Sequence, residues 1–360
     1  MRRVYYLGVF VPLALALDLA DASAPVVFFT SALGVVPAAA LMSDATEQLA
    51  ERSGPGVAGL LNVTFGNTPE LIIAVFALAD GLQEVVKASL VGSVIGNSLL
   101  VLGVSMLAGG WRRTRQTFSR TAAQTQTGML VVTVAALALP AVFRLVHGGG
   151  LPAVSGRRTS FGHDLEQLSL GVALVLIVTY LAGLFFSLRT HRDLFNPEHD
   201  DDGAARRGWS VRRSVLTLVI AAAVIALASN TLVGSIERAS RDIGLSQFFI
   251  GVFVVAIVGN AAEHYVAVVA ARKDKMDLAV NIAIGSSAQI GLFVAPVLVL
   301  LSFVLGPAPM ALVFNGYELA ALLLTALITV ALTSDGESTW FEGVQLIAVY
   351  VLLGLVFYFA

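Results

Sequence analysis

The chain has 360 residues, of which 57% are hydrophobic and only 13% charged, about half the charged share of an ordinary soluble domain. That balance excludes a water-soluble globular protein and points to a lipid bilayer as the chain's solvent. No cysteine is present, which excludes a disulfide framework, a thiolate metal centre and a cysteine nucleophile, and a formal net charge of −2 offers no basis for a nucleic-acid partner.

Spanning the hydrocarbon core takes about 20 helical residues, and eleven apolar stretches of that order can be laid along the chain, some interrupted by Gly or Pro. They fall at approximately 4–20, 24–50, 55–80, 84–109, 121–146, 164–190, 210–235, 244–272, 276–305, 308–333 and 339–359. Long apolar blocks such as Leu168 to Leu188 lack the residue-by-residue alternation of a transmembrane β-barrel. The expected fold class is therefore an all-α polytopic membrane protein with about 11 transmembrane helices. The first stretch imitates a secretory signal, with Arg2-Arg3, an apolar core and Ala22-Ser23-Ala24. Pro25 directly after the candidate cleavage site, with Asp18 and Asp21 just before it, favours a retained helix.

The longest polar interval, Arg189 to Arg213, carries His191, His199 and Asp200-Asp201-Asp202 among arginines. It reads as a solvated linker, the usual setting for a short acidic run. Gly148 to Asp164 reads as an external loop. With the amino terminus inside, 16 of the 22 Lys and Arg fall on the cytoplasmic side: Arg2, Arg3, Arg52, Arg112, Arg113, Arg115, Arg120, Arg189, Arg192, Arg206, Arg207, Arg212, Arg213, Arg272, Lys273 and Lys275. The remaining six are Lys87, Arg144, Arg157, Arg158, Arg238 and Arg241. Basic residues collect in cytoplasmic loops, so the amino terminus is expected inside and the carboxyl terminus outside.

Two acidic motifs interrupt the apolar pattern, Gly66-Asn67-Thr68-Pro69-Glu70 and Gly259-Asn260-Ala261-Ala262-Glu263, 193 positions apart. Each is followed at one common offset by a Gly-Ser pair in the next apolar stretch, Gly92-Ser93 and Gly285-Ser286, and Asp44 and Glu237 keep the same spacing. A repeated register implies a duplicated unit. The resulting division is a first transmembrane helix at 1–23 outside the repeats, a five-helix repeat at 24–190, a cytoplasmic linker at 191–209 and a second five-helix repeat at 210–360. Because each repeat holds an odd number of helices, the second enters the membrane from the opposite side, an inverted repeat. Such transporters hold their site near the midplane, between interrupted helices whose freed backbone groups face the ion. Gly66 and Pro69 predict a kink in the first motif, and Gly259 a milder one in the second.

An ionisable residue at the centre of a transmembrane helix costs roughly 3 kcal/mol on insertion scales and marks an ion or proton pathway by default. Residues three apart share a helix face, so Asn67 is expected beside Glu70 and Asn260 beside Glu263. Ser93, Asn97, Ser286, Ser287 and Gln289 add hydroxyl and amide oxygens nearby. An all-oxygen donor set suits Ca²⁺, Mg²⁺, Mn²⁺ or Na⁺ over soft metals. The same carboxylates can carry protons, since burial and mutual repulsion both favour the neutral acid. A site that holds either a divalent cation or protons is an exchanger, although each Glu could instead merely hydrogen-bond a neighbouring helix. His264 either relays protons and tunes Glu263 or packs on the face away from it. Asp44 and Glu237 are candidate entrance charges or ordinary helix-end acids. A cation channel is a further reading. An intramembrane enzyme is disfavoured, because the chain has no His-Glu-x-x-His run and no Gly-x-Ser-x-Gly site.

At these residues the chain resembles the calcium/cation antiporter superfamily, and specifically its calcium/proton exchanger branch. The resemblance is carried by Leu60-Leu61-Asn62-Val63-Thr64-Phe65-Gly66-Asn67 running into Glu70-Leu71-Ile72-Ile73-Ala74, and by Gly92-Ser93-Val94-Ile95-Gly96-Asn97. In the second half it is carried by Gly259-Asn260-Ala261-Ala262-Glu263-His264 and by Gly285-Ser286-Ser287-Ala288-Gln289-Ile290 through Phe293-Val294-Ala295-Pro296. It implies an antiporter, not an enzyme, that takes Ca²⁺ in exchange for H⁺ at Glu70 and Glu263 by alternating access. Asn67, Asn260, Ser93, Ser286 and Gln289 would supply the neighbouring polar positions. It implies no cofactor beyond the transported Ca²⁺ and H⁺, a lipid bilayer as partner, and allows a homo-oligomer. Thr68-Pro69-Glu70-Leu71 is similar to the sodium-coupled relatives, so Na⁺/Ca²⁺ exchange is the alternative, while Asn260 and His264 favour protons. The short central linker gives little basis for regulation through it. Without a long amino-terminal extension, a bacterial cytoplasmic membrane is the expected location.

Overall fold

The computed structural model of the 360-residue chain describes residues 4–52, 61, 64–154, 161–190 and 208–360. Most of the expected third stretch before Thr64, part of the Gly148 to Asp164 loop, and the linker residues His191, His199 and Asp200 to Asp202 lie outside the described residues. The helices are α1 (Tyr5–Leu19), α2 (Ala24–Ala50), α3 (Thr68–Ala79), α4 (Gln83–Gly110), α5 (Arg120–Val146) and α6 (His163–Thr190). They continue as α7 (Val211–Ile243), α8 (Gln247–Gly259), α9 (Ala261–Arg272), α10 (Met276–Ser302), α11 (Gly316–Thr333) and α12 (Trp340–Phe359). Among the described residues eight of these are long and apolar enough to cross a membrane, nine when the bent pair α8–α9 counts as one span, and α1 and α3 are shorter apolar helices. The chain is an all-α integral membrane protein.

Burial sorts the helices into layers. In their apolar windows α4 and α10 are 83% and 72% buried, whereas α6 and α12 are each 28% buried. The first pair forms the core, and the second pair presents apolar side chains outward, as a bilayer allows. Helix pairs in lipid gain little from apolar burial alone and rely on close packing of small residues. Accordingly α2 and α7 meet through Ala38, Met42, Ala45, Leu218, Ala221 and Ile225. The closest approach joins α4 to α8, where a methyl on Gly92 would stand 2.0 Å from the Val252 carbonyl oxygen. Helix α1 lies on α2, with Val11 against Gly34 and the Tyr5 hydroxyl donating to Asp44.

Short connections define two faces. On one, β1 (Gln116–Thr117) pairs antiparallel with β2 (Glu337–Ser338). Gln116 Nε2 donates to the Ala271 carbonyl and to Asp274, 3.0 Å each, tying this ribbon to the end of α9. On the other, distal face, the chain between α10 and α11 runs without regular structure through Met310, Ala311, Leu312, Val313 and Phe314, all at most 1% exposed.

Two helix boundaries depart from the hydropathy pattern. The stretch expected at 308–333 becomes helical only at Gly316, because Asn315 and Glu318 form a reciprocal capping box that fixes the start there. The stretch expected to end at 235 continues to Ile243 and stops at Gly244, whose φ of +77° supplies a left-handed C-terminal cap.

Replacing Gly92 by Ala should force α4 and α8 apart and lower stability by about 1–3 kcal/mol, the range for overpacking. Gly171→Ala, with nothing within 4 Å of the added methyl, should stay within about 0.5 kcal/mol of the parent. Thermal unfolding of the two purified variants in detergent compares them directly, and equal stability would contradict the close α4–α8 contact.

Candidate functional site

The two acidic motifs fold alike. Asn67 (φ −92°, ψ 13°) and Asn260 (φ −86°, ψ 3°) each leave the helical region and precede a new helix, α3 and α9, with Glu70 and Glu263 in its first turn. The sparsely populated backbone region they occupy is common at functional sites, and a carboxylate in a first turn is favoured by the helix dipole. Helix α9 departs from the direction of α8 by 61°. The second break is thus sharp, not the mild kink that Gly259 alone suggests, because Asn260 leaves the helical region between helices that end at Gly259 and restart at Ala261. In the first motif Pro69 has no amide hydrogen, which deprives the Phe65 carbonyl of the donor four residues on.

The motifs cross over. A methyl at Gly66 would stand 3.1 Å from Glu263 Oε1, and one at Gly259 would stand 3.0 Å from Glu70 Cγ and 3.1 Å from its Oε1. Each motif glycine therefore makes room for the opposite motif's carboxylate. Ser286 Oγ donates to Glu263 Oε2 at 2.6 Å, whereas both oxygens of the buried Glu70 have no hydrogen-bond partner. Asn67 Nδ2 donates to Gln289 Oε1 at 2.7 Å, leaving Asn67 Oδ1 buried and unpartnered.

Asn260 is used differently. Its Nδ2 donates to Ser93 Oγ (3.0 Å) and to the Ala256 carbonyl (2.8 Å), and its Oδ1 accepts from Asn97 Nδ2 (3.0 Å). The i,i+3 spacing therefore does not place Asn260 as a second donor beside Glu263, because the break turns its amide toward α4. His264 Nε2 lies 2.9 Å from Asn97 Oδ1, so the ring faces the polar core and not the side away from it, and a proton on Nε2 completes the bond. The two residues whose entrance role the spacing left open stand at helix flanks: Asp44 accepts from Tyr5, and Glu237 pairs at 3.9 Å with Arg241 one turn on.

Glu70 borders a small cavity lined on its distal side by Ile73, Ala74, Ser89 and Leu90, all buried, whereas Phe65, Gly66, Glu263 and His264 retain accessible surface. Sequence reasoning missed three features. Helices α4, α8 and α10 each contain a π-helical turn, at Gly96–Val101, Ile250–Val255 and Ile290–Val294, a distortion frequent at functional sites. Ser98 Oγ donates to Ser287 Oγ at 2.7 Å, joining α4 to α10, and Gln126 of α5 donates to Asn281 at 2.6 Å. The signal available was a glycine in each of these three turns, Gly96, Gly251 and Gly291, though the π turn at Phe186–Thr190 has none. Among the described residues no group of three His, Cys, Asp or Glu side chains converges as a metal centre. A hard cation would therefore be held by two carboxylates with amide and backbone oxygens.

A model of the sodium/calcium exchanger protein family matches residues 23–189 and 213–359. The chain belongs to this family. Within the sodium/calcium exchanger family it is similar to the Ca²⁺/H⁺ antiporter ChaA of Bacillus subtilis, 39% identical over 363 residues and 99% of both chains. It is also similar to a Ca²⁺/H⁺ antiporter of Synechocystis, 41% identical over 369 residues, 98% of this chain and 95% of the relative. The crystal structure of the selenium-substituted Ca²⁺/H⁺ antiporter YfkE superimposes with a TM-score of 0.82 at 36% identity, covering 99% of this chain and 100% of that one.

Asn97 accepts from His264 and donates to Asn260, so Asn97→Ala should leave two buried polar groups unmet at a cost of about 1–3 kcal/mol. Combined with Asn260→Ala, the loss should fall short of additive by about 0.5 kcal/mol or more, because both truncations break one network. Denaturant or thermal unfolding of the two single variants and the double variant measures that coupling, and strict additivity would rule the network out.

Proposed function

We propose that this chain is a secondary active antiporter, a transporter and not an enzyme, that exchanges Ca²⁺ for H⁺ by alternating access. Glu70 and Glu263 would bind either the cation or protons. The observation that carries the reading is the crossed pair of glutamates, each in the first turn of a broken helix, with both Glu70 oxygens and Asn67 Oδ1 buried and unpartnered. A buried and a half-buried carboxylate facing each other inside the bundle need a counter-charge, and one Ca²⁺ or two protons supply it equally well. Either ligand neutralises the site, while the empty ionised pair is costly to carry through an apolar bundle, so the two fluxes are coupled. The names of the relatives favour protons over Na⁺ as the counter-ion.

The common 193-residue spacing and the crossed glycines support two inverted halves, at 24–190 and 210–360, with α1 outside them. Arg112, Arg113, Arg115, Arg120, Arg272, Lys273 and Lys275 all lie at or beside the ribbon face. By the positive-inside rule that face and the amino terminus are cytoplasmic, in a bacterial cytoplasmic membrane. Access to Glu70 and Glu263 is then from the cytoplasm, with Asp44 near that entrance and Glu237 near the external one.

Purified protein in liposomes should take up ⁴⁵Ca²⁺ under an imposed pH gradient without Na⁺, with matched proton movement, and a protonophore should abolish the uptake. Uptake only under a Na⁺ gradient would overturn the choice of counter-ion, and downhill flux without counter-transport would indicate a channel. Glu70→Gln and Glu263→Gln should each abolish exchange without loss of insertion, since the amide keeps the size but loses the charge and the titratable proton. Normal transport by either variant would sink the assignment. Asn67→Ala should weaken Ca²⁺ affinity about tenfold, the equivalent of one charge-assisted contact. Asn260→Ala, whose oxygen is engaged by Asn97, should lower stability more than affinity, and the two are separated by concentration-dependent uptake alongside thermal unfolding.

A further inference from the structure

A second set of charges lies within the bundle, away from the glutamate pair and near the distal ends of α4 and α11. Lys87 of α4 is fully buried, a rare state for lysine. Its Nζ makes a 2.7 Å ion pair with Glu84, donates to the Val313 carbonyl at 3.0 Å and stands 4.9 Å from the centre of the Phe161 ring. Glu318 of α11 is 1% exposed. Its Oε2 accepts from the Asn315 amide at 2.7 Å, and its Oε1 is buried without a partner. Lys87 and Glu84 are the charged side chains that act on it.

The charges do not balance. Glu84 takes the one ammonium as its ion-pair partner and Glu318 has none, which leaves one buried negative charge, and a buried ion without compensation is far costlier than a neutral acid. From the other elements packed on α11, α5 brings Arg144. Its guanidinium reaches the same Phe161 ring at 4.9 Å but forms no ion pair with Glu84 or Glu318 among the described residues. The one carboxylate of α12, Glu342, and Glu337 of β2 sit at the opposite, ribbon end. The first turn of α11 and the Asn315 amide oppose part of that charge, and a proton on Glu318 balances the rest.

The cluster holds a particular piece of chain. The segment 308–315 is anchored through its backbone by Gln83 on the Ala308 carbonyl (2.6 Å), Lys87 on Val313 and Ser302 under the Met310 amide (2.7 Å). It thus lies across the distal ends of α4 and α10, two of the helices lining the cavity at Glu70. The same ammonium that neutralises Glu84 secures the segment.

We propose that Glu318 is a second proton-binding carboxyl, distinct from the exchange pair, whose protonation keeps Lys87 on the Val313 carbonyl and the segment 308–315 closed over the distal exit from Glu70. Loss of that proton leaves Lys87 with two carboxylates to satisfy, draws it away from Val313 and loosens the segment. This places a pH-sensitive latch on the face opposite the open side of the site. It rests on alternating access for its purpose, but its test needs no transport.

The chain has no cysteine, so single reporters can be introduced. Ala74→Cys faces the cavity distal to Glu70, and Val304→Cys, 79% exposed at the same face, corrects for the reactivity of the thiol itself. A membrane-impermeant maleimide is applied from the distal side at about pH 6 and about pH 9, on either side of neutrality. Labelling of Ala74→Cys, relative to Val304→Cys, should rise about fivefold or more with pH, should lose that dependence with Glu318→Gln, and should stay high at both pH values with Lys87→Met. An unchanged pH response in Glu318→Gln, or none in the parent, overturns the proposal. Should Glu318→Gln fail to fold, infrared difference spectra of the Glu70→Gln/Glu263→Gln double variant over the same pH interval decide. Loss of one protonated-carboxyl band supports the second site, and its absence refutes it. Because that variant lacks both exchange glutamates, failure of the exchange reading is told apart from failure of the latch.

Discussion

Uncompensated burial of a carboxylate costs several kcal/mol even after the protein relaxes, and the site sets a buried Glu70 against a half-buried Glu263. Much of the architecture follows from making that burial tolerable and reversible. Breaking the helices at Asn67 and Asn260 puts each carboxylate in a first turn, where free amide groups and the helix dipole oppose its charge. The price of the breaks is unsatisfied backbone in an apolar medium. It is limited by seating them between α4 and α10, the most buried of the eight long apolar helices, and by surrounding them with hydroxyl and amide side chains.

Close approach is the second consequence. The glutamates can face each other only if the opposite backbone has no side chain, so both motifs place glycine at the crossing, and a third glycine, Gly92, lets α8 lie against α4. In lipid such contacts are also the main source of helix association. Residues that shape the site therefore hold the bundle together as well.

The repeat spacing, the broken helices and the two glutamates were legible in the sequence because polar residues in an apolar stretch stand out whatever the tertiary structure. The ends of α2 were also legible, since Pro25 and the loss of apolar residues after Ala50 act locally. What escaped was decided between helices. The hydropathy of Met310 to Phe314 is that of a membrane helix, yet these residues form none, because side chains of α4, α6 and α10 supply hydrogen bonds a helix would otherwise make internally. The π turns left only a weak local trace, a glycine in three of them, and glycine also stands in uninterrupted α-helix at Gly128 and Gly171. The i,i+3 rule placed Asn260 beside Glu263 only on the assumption of a continuous helix, which the break removes.

The two halves share a plan but not a duty. In the first, Pro69 frees a backbone carbonyl, Asn67 keeps its oxygen free and Glu70 is unbraced, so this half is rich in uncommitted oxygens. In the second, Ser286 holds Glu263, and Asn260 is fully engaged with Ser93, Asn97 and its own backbone. A site in which one carboxylate is fixed and its counterpart is free can release its ligand by moving a single side chain, while the fixed one keeps the geometry for the next. Strict symmetry would require both to move at once. Divergence between Thr68-Pro69 and Ala261-Ala262 thus changes how each carboxylate is braced while leaving their number unaltered.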